Sequence, residues 1–380
     1  MVTMCSLFCF CCYVQVIYSR TAASDGQLMV AEDCAGLGTA KRVILDLMQE
    51  QYFQRVLRSS LRVVGAYACE YEDDLRAILQ ESFQVTDKDC CQPRSAVLDL
   101  MASTDWDVLV AGWPCQPWSA AGLKLGVADA RHRPLRHLLD MIVVRLPKLI
   151  VLENVSGISK NKRVMKTITV RLEDAGYQIT FRELNSLDFV PQHRLRFYLV
   201  GFLLHPSKFD LENEAFWQDN GATGEHANIH EYLEPSRDWQ SLEEVSARKR
   251  NQVFQRNLNF AKEKVMRETR VLREAYAVVD VGASPGRTAC CIGYSCCITA
   301  SRAEQQRLWI CKCRFGDIVT LRKLSSVELA KLQGWRKVHI DEFTRKLSRK
   351  SFSHAIGNGM TCDVLRCIFR RALPIILANR

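Results

Sequence analysis

The sequence predicts an α/β fold with a mostly parallel, doubly wound sheet, and three observations support this. Between residues 28 and 203, short apolar runs of strand length alternate with longer segments of helical periodicity. A loop containing two glycines follows the first apolar run, where a strand would turn into a helix. A reactive polar residue comes shortly after each of two further runs: Cys115 after residues 107–111 and Glu153 after residues 149–152. The carboxyl ends of strands line the ligand crevice in such sheets, so these residues mark the expected site.

The predicted elements follow one another in the order that this fold requires. The predicted strands are residues 28–31, 62–68, 107–111, 149–152, 177–183 and 196–203. Two early helices are predicted over residues 38–57 and 73–81. Alternation of this kind favours right-handed crossovers between parallel strands.

The composition changes after Phe202, where polar loops replace the regular alternation. A long charged segment over residues 241–276 contains nine basic residues between Arg248 and Arg273, against five glutamates. Such a segment is typical of a solvated amphipathic helix, and it is also compatible with a surface that faces nucleic acid. From residue 321 the pattern predicts helices again, through residue 332 and then over residues 362–378.

The overall composition is that of a globular protein with a basic excess. The 380 residues are 48% hydrophobic and 25% charged, with a formal net charge of +10. A basic excess is consistent with a polyanionic partner such as nucleic acid. The first 19 residues carry no charge but lack a basic signal-peptide start. This favours a packed or disordered extension, or a wrongly predicted start site, over a membrane span, and no other stretch approaches spanning length.

Seventeen cysteines are many for a chain of this length, and several are adjacent pairs. Neighbouring cysteines rarely pair with each other, so free thiols in a reducing compartment are expected. A cluster of six could hold zinc: Cys290, Cys291, Cys296, Cys297, Cys311 and Cys313. It lacks a clean pair of Cys-x-x-Cys knuckles, so no metal site is predicted, although the cluster leaves the question open.

Three segments carry residues that could perform chemistry. Cys115 follows the apolar run at 107–111 between two prolines that stiffen the loop, which suits a nucleophile. Glu153 follows the next run directly. Arg194 and Arg196 are two residues apart on a predicted strand, so their side chains point to the same face. The simpler alternatives are a structural cysteine, a solvated glutamate and an exposed edge strand.

Taken in order, these motifs resemble the cytosine-5 methyltransferase family. The resemblance covers roughly residues 28–375 and is carried by a set of short motifs in the family's order. They are Gly36-Leu37-Gly38, Glu70, Pro114-Cys115-Gln116, Glu153-Asn154-Val155, Gln192-His193-Arg194-Leu195-Arg196, the segment 322–335 and Gly357-Asn358-Gly359-Met360. Each motif is moderately specific, and the set in this order is highly specific.

The resemblance implies a Rossmann-like fold that uses S-adenosylmethionine, with a smaller target-recognition domain. It divides the chain into an N-terminal extension, the first part of the catalytic domain, the target-recognition domain and a C-terminal part that returns to the first domain. The corresponding ranges are 1–27, 28–203, 204–320 and 321–380. The stretch 297–301 is similar to the family's strand that contacts the DNA backbone.

The resemblance also assigns roles to single residues. Cys115 would attack C6 of a flipped-out cytosine, Glu153 would protonate N3, and Arg196 would bind O2. Arg194 would orient the site or bind a phosphate. The residues expected to bind S-adenosylmethionine are Gly36, Gly38, Glu70, Tyr71, Asp99 and Asn358. The residues expected to contact the substrate are Pro114, Ser119, Gln192 and Thr299.

The chain departs from the family pattern in the glycine loop. Cys34 stands where an aromatic residue is usual, Glu32 stands where the loop acid is usual, and Thr39 replaces the final glycine. The aromatic residue would stack on adenine, so its loss puts cofactor affinity in doubt.

Double-stranded DNA is the predicted substrate, and two alternatives remain. A tRNA cytosine-5 methyltransferase would share the fold and the cysteine, but Trp113 and Ser119 favour DNA over RNA. An inactive nucleic-acid-binding scaffold would be expected to lack Cys115 or Glu153. We further expect a monomer without a membrane anchor, acting in the nucleus if the organism is eukaryotic and otherwise in the cytoplasm.

Overall fold

The computed structural model describes residues 26–56, 61–87, 105–114, 133–203, 215–217, 228–236, 238–248, 251–287 and 289–378. Within them, seven strands form one sheet in the order β3-β2-β1-β4-β5-β7-β6. These strands are β1 (Gln27–Asp33), β2 (Arg62–Cys69), β3 (Phe83–Asp87), β4 (Val108–Ala111), β5 (Leu149–Val155), β6 (Tyr177–Asn185) and β7 (Leu195–Leu203). The first five in chain order pair in parallel, whereas β7 runs antiparallel to both β5 and β6. The predicted α/β fold is confirmed.

Helices cover both faces of this sheet, which makes it doubly wound. They are α1 (Thr39–Met48), α2 (Gln51–Val56), α3 (Asp73–Gln80), α4 (Arg133–Arg145) and α5 (Lys162–Asp174). Alternate residues of β4 belong to different cores: Val108 and Val110 pack with α1, and Leu109 packs with α4 and α5. This alternation is the two-residue periodicity of a strand buried on both faces.

The helix predicted over residues 38–57 is in fact two helices. The first ends at Gln49, whose N–H donates to Asp46 O and Leu47 O and tightens the last turn. The second begins at Gln51 and turns Phe53 into the core, where its side chain is fully buried. The break between α1 and α2 thus accompanies the burial of Phe53. The hydrophobic periodicity of residues 38–57 did not indicate this break.

A second sheet of five strands has the order β10-β9-β11-β12-β8 and is antiparallel throughout. Its strands are β8 (Gln240–Ser241), β9 (Ala275–Asp280), β10 (Cys290–Ile292), β11 (Leu308–Arg314) and β12 (Asp317–Lys323). The charged segment predicted as a helix over 241–276 forms α6 (Leu242–Arg248), α7 (Gln252–Thr269) and the start of β9. Helix α7 buries Phe254, Leu258 and Val265 against this sheet and leaves its charged face in solvent.

The chain becomes helical later than predicted. Strand β12 continues to Lys323, three residues past the domain boundary predicted at residue 320, and its residues Ile318 and Leu321 are buried in the second core. Four helices then follow: α9 (Ser326–Leu332), α10 (Lys337–Lys346), α11 (Arg349–Asn358) and α12 (Cys362–Ala378). Helix α12 packs on α1, where Arg366 lies 3.4 Å from Asp46, so the end of the chain returns to the first sheet.

The strand predicted over residues 297–301 is wrong. Thr299 is instead the N-cap of a short helix, α8 (Ala300–Glu304), and its side chain accepts a hydrogen bond from the Arg302 N–H. Threonine followed by alanine and serine favours such a start, because the hydroxyl satisfies a free N–H of the first turn. None of the helices in the described ranges combines the length and the apolar character that crossing a membrane requires.

Candidate active site

A carboxylate and a guanidinium meet where β5 ends. Glu153 lies near the end of β5, and Arg196 lies near the start of the antiparallel neighbour β7, opposite Val155. Arg196 Nε is 3.2 Å from Glu153 Oε1, and both side chains are largely buried. Burial raises the pKa of the Glu153 carboxyl above its ordinary value, while Arg196 and Arg194 oppose this rise. Glu153 can therefore hold a proton more readily than a solvated glutamate.

The segment that leads to Cys115 begins against this carboxylate. A Cβ at Gly112 would lie 3.3 Å from Glu153 Oε2 and 2.9 Å from Met360 Cε, so glycine lets the backbone approach closely. Asn154 Nδ2 donates to Trp113 O over 3.0 Å and fixes the same segment. The predicted substrate residue Pro114 follows and is half-buried. Cys115 itself lies outside the described residues, and so do Ser119 and Asp99.

Arg194 ties three parts of the chain together. Its guanidinium donates to Ile298 O over 2.7 Å and to Gly359 O over 2.8 Å, and only 3% of the residue is exposed. These contacts join β7 to the second domain and to the turn after α11. Of the two roles predicted for Arg194, this geometry favours orienting the site over binding a phosphate, because the buried guanidinium is occupied by carbonyl oxygens.

Gln192 is fully buried, and its amide joins the segment before β7 to the end of α9 and to Ile298. Its Nε2 donates to Leu332 O over 2.9 Å and to Gln333 Oε1 over 3.0 Å, and its Oε1 accepts the Ile298 N–H over 3.1 Å. A side chain without exposed surface and with both ends bonded does not reach a substrate. We therefore assign Gln192 a structural role in place of the predicted substrate contact.

The glycine loop after β1 forms an open cradle. Gly36 and Gly38 have φ values of 55° and 68°, a region that glycine adopts at little cost. Among the described residues, no atom would lie within 4 Å of a Cβ at Gly36, so these residues leave the space above this backbone free. Glu70 Oε2 accepts the Gly36 N–H over 2.7 Å, and the neighbouring Tyr71 is 66% exposed. The structure thus brings four of the predicted cofactor residues together.

The predicted cofactor residue Asn358 is at the last position of α11. It is exposed, and its Nδ2 lies 2.9 Å from His354 Nε2. Two residues further on, Met360 makes the close approach to Gly112 described above. The segment 357–360 therefore reaches the edge of the site.

Two functional side chains lacked a role in the prediction. Asn154 was part of a recognised motif, but its bond to Trp113 O spans 41 residues and leaves no local signal. Cys297 lies 3.8 Å from Arg194 Nη1 and 3.9 Å from Arg196 Nη2. In the sequence, Cys297 belongs to a cluster of cysteines that suggests zinc binding, and nothing nearby indicates a contact with the arginines.

The other cysteines of the second domain lie in or beside its core. In the part of the chain that the structure describes, no three His, Cys, Asp or Glu side chains are grouped as a metal site would require. Cys291 Sγ and Cys296 Sγ are 2.8 Å apart and both are buried. Burial raises the pKa of Cys290 and of Cys313 to about 12, which keeps both as neutral thiols near pH 7.

Glu32, the acid of the glycine loop, is buried beneath the start of α1. Its carboxylate accepts the Ala40 N–H over 3.2 Å and the Lys41 N–H over 2.8 Å. Burial nevertheless raises its pKa from 4.5 to about 7, although both backbone bonds lower it. The folded protein therefore binds this proton more tightly than the unfolded chain does.

From this we expect a pH-dependent contribution of Glu32 to stability. The contribution is fully present below pH 4.5 and is lost as the pH rises through about 7. One pKa unit corresponds to about 1.4 kcal/mol, so the loss is on the order of 3 kcal/mol. Thermal unfolding of wild type and Glu32→Gln should show a melting-temperature difference that favours wild type more at pH 5 than at pH 8.5. Glu263→Gln, an exposed position on α7, serves as the control. A difference that does not change with pH would mean that Glu32 stays ionised throughout.

Comparison with known proteins agrees with this geometry. The family model described as C-5 cytosine-specific DNA methylase matches residues 55–373. The type II methyltransferase M.NlaX of Neisseria lactamica is 40% identical over 114 residues, which are 29% of this chain and 36% of that protein. M.BanI of Aneurinibacillus aneurinilyticus is 33% identical over 145 residues, which are 37% of this chain and 33% of that protein. The chain thus spans about a third of the length of the curated relatives it matches.

Solved structures show the same fold at low sequence identity. The Entamoeba histolytica methyltransferase EhMeth has a TM-score of 0.58 at 17% identity, covering 90% of this chain and 98% of its own. The Dnmt2 methyltransferase of S. pombe also has a TM-score of 0.58 at 17% identity, covering 93% of this chain and 99% of its own. The motifs, the strand order and the match over most of the sequence agree: the chain belongs to the C-5 cytosine-specific DNA methylase family.

Proposed function

We propose that this protein transfers a methyl group from S-adenosylmethionine to C5 of cytosine in double-stranded DNA. The observation that carries the proposal is the buried pair of Glu153 and Arg196, which lies against the segment that leads to Cys115. A carboxyl that can hold a proton beside a fixed cation suits the activation of a pyrimidine ring. Membership of the family gives the reaction class, and the names of the type II methyltransferase relatives support DNA as the substrate.

The proposed chemistry starts with the ring of the target base. Cytosine C5 is a poor nucleophile until another nucleophile adds at C6, and a thiolate at Cys115 suits that addition. Negative charge then develops at N3 and O2. Protonated Glu153 would deliver its proton to N3, and Arg196 would hold O2. C5 of the activated ring then takes up the methyl group. Loss of the C5 proton and of the thiolate, with return of the N3 proton to Glu153, restores the aromatic ring. Because the thiol must approach the face of the base, the target cytosine has to leave the stack.

The glycine loop fits a cofactor of this kind. When bound, S-adenosylmethionine would supply the methyl group as an activated sulfonium. The open space above Gly36 leaves room for the cofactor close to the backbone, and the Glu70 carboxylate lies beside it where ribose hydroxyls could be held. Exposed Tyr71 could lie against adenine, and the proposal keeps Asp99 and Asn358 as further cofactor contacts.

DNA recognition is assigned to the second domain. We retain the division at residues 28–203, 204–320 and 321–380, with the second sheet at the centre of the target-recognition part. Pro114, Ser119 and Thr299 remain proposed substrate contacts. The net charge of +10 supports a polyanionic partner. We propose that one copy of the protein binds it. A DNA substrate would place the protein in the nucleus of a eukaryote or in the cytoplasm of a bacterium.

The test of this proposal is covalent trapping. Duplex DNA with 5-fluorocytosine at varied sites should form a denaturation-resistant adduct at Cys115 when S-adenosylmethionine is present, because fluorine blocks the final elimination. Fluorocytosine-containing tRNA is the competing substrate. Duplex binding should also weaken steeply with salt, as expected where several phosphates are neutralised. Trapping of tRNA without any trapping of DNA would replace the DNA assignment with the tRNA alternative.

A further inference from the structure

Among the residues that the structure describes, three different acceptors orient the Arg196 guanidinium. Its Nε faces Glu153 Oε1 at 3.2 Å, and its Nη1 donates to Leu195 O over 2.8 Å. Its Nη2 points at the Cys297 sulfur, 3.9 Å away. Two of these contacts come from the first domain, whereas Cys297 comes from the second. The direction of this side chain therefore depends on a residue that the methyl-transfer chemistry does not itself require.

Cys297 is held in place independently of Arg196. Its carbonyl oxygen accepts a hydrogen bond from Arg302 Nη1 over 2.7 Å, and its sulfur also lies 3.8 Å from Arg194 Nη1. The following residue, Ile298, is bonded through its carbonyl to Arg194 and through its N–H to Gln192. The backbone on both sides of the sulfur is thus anchored to β7 and to α8, so the sulfur has a defined position between the two guanidinium groups.

We propose that Cys297 is a positioning residue that holds the Arg196 guanidinium against Glu153, so that the two domains complete the active site together. The proposal rests on the proposed function, since it assigns a role within the same reaction. Cys297 does not act on the substrate. It acts through Arg196, whose correct direction decides where charge on the base is stabilised.

The electrostatics of the site support a sulfur at this position. Burial opposes ionisation of Cys297, but Arg194, Arg196 and Arg302 together lower its pKa below the ordinary value for a thiol. Glu153 also faces Arg196, but it meets Nε whereas the sulfur faces Nη2, so both contacts form on one guanidinium. A thiolate accepts charge-assisted hydrogen bonds from both guanidinium groups, whereas a methyl group at this position would accept none.

A double-mutant cycle tests whether Cys297 acts through Arg196. We expect Cys297→Ala to lower kcat about tenfold with the KM for S-adenosylmethionine unchanged, and Cys297→Ser to recover part of the loss. In an Arg196→Ala background, Cys297→Ala should have no further effect. Cys296→Ser is the matched control, since the adjacent sulfur faces Cys291 and not the arginines. If the fold-losses in kcat of Cys297→Ala and Arg196→Ala multiply in the double variant, the two residues act independently and the proposal is overturned.

A second readout does not need catalysis. The pH dependence of iodoacetamide alkylation at Cys297 can be followed by fragmentation of the tryptic peptide 288–302 in a mass spectrometer. Arg196→Gln should move the midpoint of this reaction to higher pH, because a cation beside the sulfur is lost. Arg267→Gln, at an exposed arginine on α7, should leave it unchanged, and this variant keeps the trypsin site at Arg287. An unchanged midpoint in Arg196→Gln would refute the contact between the two side chains. Absence of methyl transfer by the wild-type protein would count against the proposed function alone.

Discussion

Replacing Cys115 with serine should abolish methyl transfer to DNA. The expected loss in kcat is about 10³-fold or more, which corresponds to roughly 4 kcal/mol of lost transition-state stabilisation. A thiolate is present in useful amounts near neutral pH, whereas a serine hydroxyl stays protonated and adds far more weakly at C6. The measurement is transfer of a radioactive methyl group from S-adenosylmethionine to duplex DNA.

The Cys115→Ser variant should still bind S-adenosylmethionine and duplex DNA. Cofactor affinity measured by calorimetry should match that of wild type, because the glycine cradle lies after β1, on a different segment of the chain. A buried thiol in the core of the second domain, Cys313 on β11, provides the matched control, and Cys313→Ser should retain turnover. Turnover of Cys115→Ser near the wild-type rate would remove the covalent mechanism.

The sequence predicts six of the seven strands of the main sheet, and its interior strands were predictable because burial on both faces gives them a continuous apolar run. The run at residues 149–152 is an example, since β5 lies in the interior of the sheet and pairs on both sides. The edge strand β3 is absent from the prediction, because only Phe83 of its five residues is buried and the strand has no apolar run. The antiparallel direction of β7 could not be derived from its own residues, because parallel and antiparallel buried strands have the same composition. The break between α1 and α2 had no signal either, since neither proline nor glycine marks it.

The candidate site was predictable in its residue types but not in its contacts. Glu153 and Arg196 follow from motif order, and the structure places them 3.2 Å apart. The role of Gln192 could not be predicted, because its partner Leu332 is 140 residues away. A glutamine beside two arginines has the same sequence pattern whether it binds a substrate or joins two domains. Only the packing of α9 and of residue 298 around it distinguishes the two.

Several motif residues are buried at the interface between the two sheets, where their hydrogen bonds favour a structural role. Arg194 and Gln192 both bond to Ile298, and Arg194 also bonds to the turn at Gly359. The hydrogen-bonded nitrogens of both side chains are buried, so removing one partner would leave another unpaired at a cost of about 1–3 kcal/mol. Arg194 Nε is buried too, but it has no hydrogen-bond partner among the described residues. Residues of this kind fix the second domain relative to the catalytic edge of β5. Precise placement of Arg196 beside Glu153 depends on that arrangement.

Glu153→Gln should lower the rate of methyl transfer by about 10²-fold or more while leaving DNA binding intact. Glutamine keeps the shape of the side chain and can still contact Arg196, but it has no carboxyl proton to deliver to N3. Burial raises the pKa of Glu153, so the protonated form persists to higher pH than in a solvated glutamate. If that form is the active one, wild-type activity falls as the pH rises through the pKa of Glu153.

The pH profile separates an acid from a structural carboxylate. The fall in activity with rising pH that Glu153 causes should be absent in Glu153→Gln. It should return in Glu153→Asp, at a lower overall rate, because aspartate restores a carboxyl on a shorter side chain. Glu173→Gln, at an exposed position on α5, is the matched control and should behave as wild type. DNA binding is measured in parallel by fluorescence anisotropy at fixed salt. If Glu153→Gln loses DNA binding while its residual complexes react at the normal rate, the carboxylate is a support for Arg196 and not the proton donor.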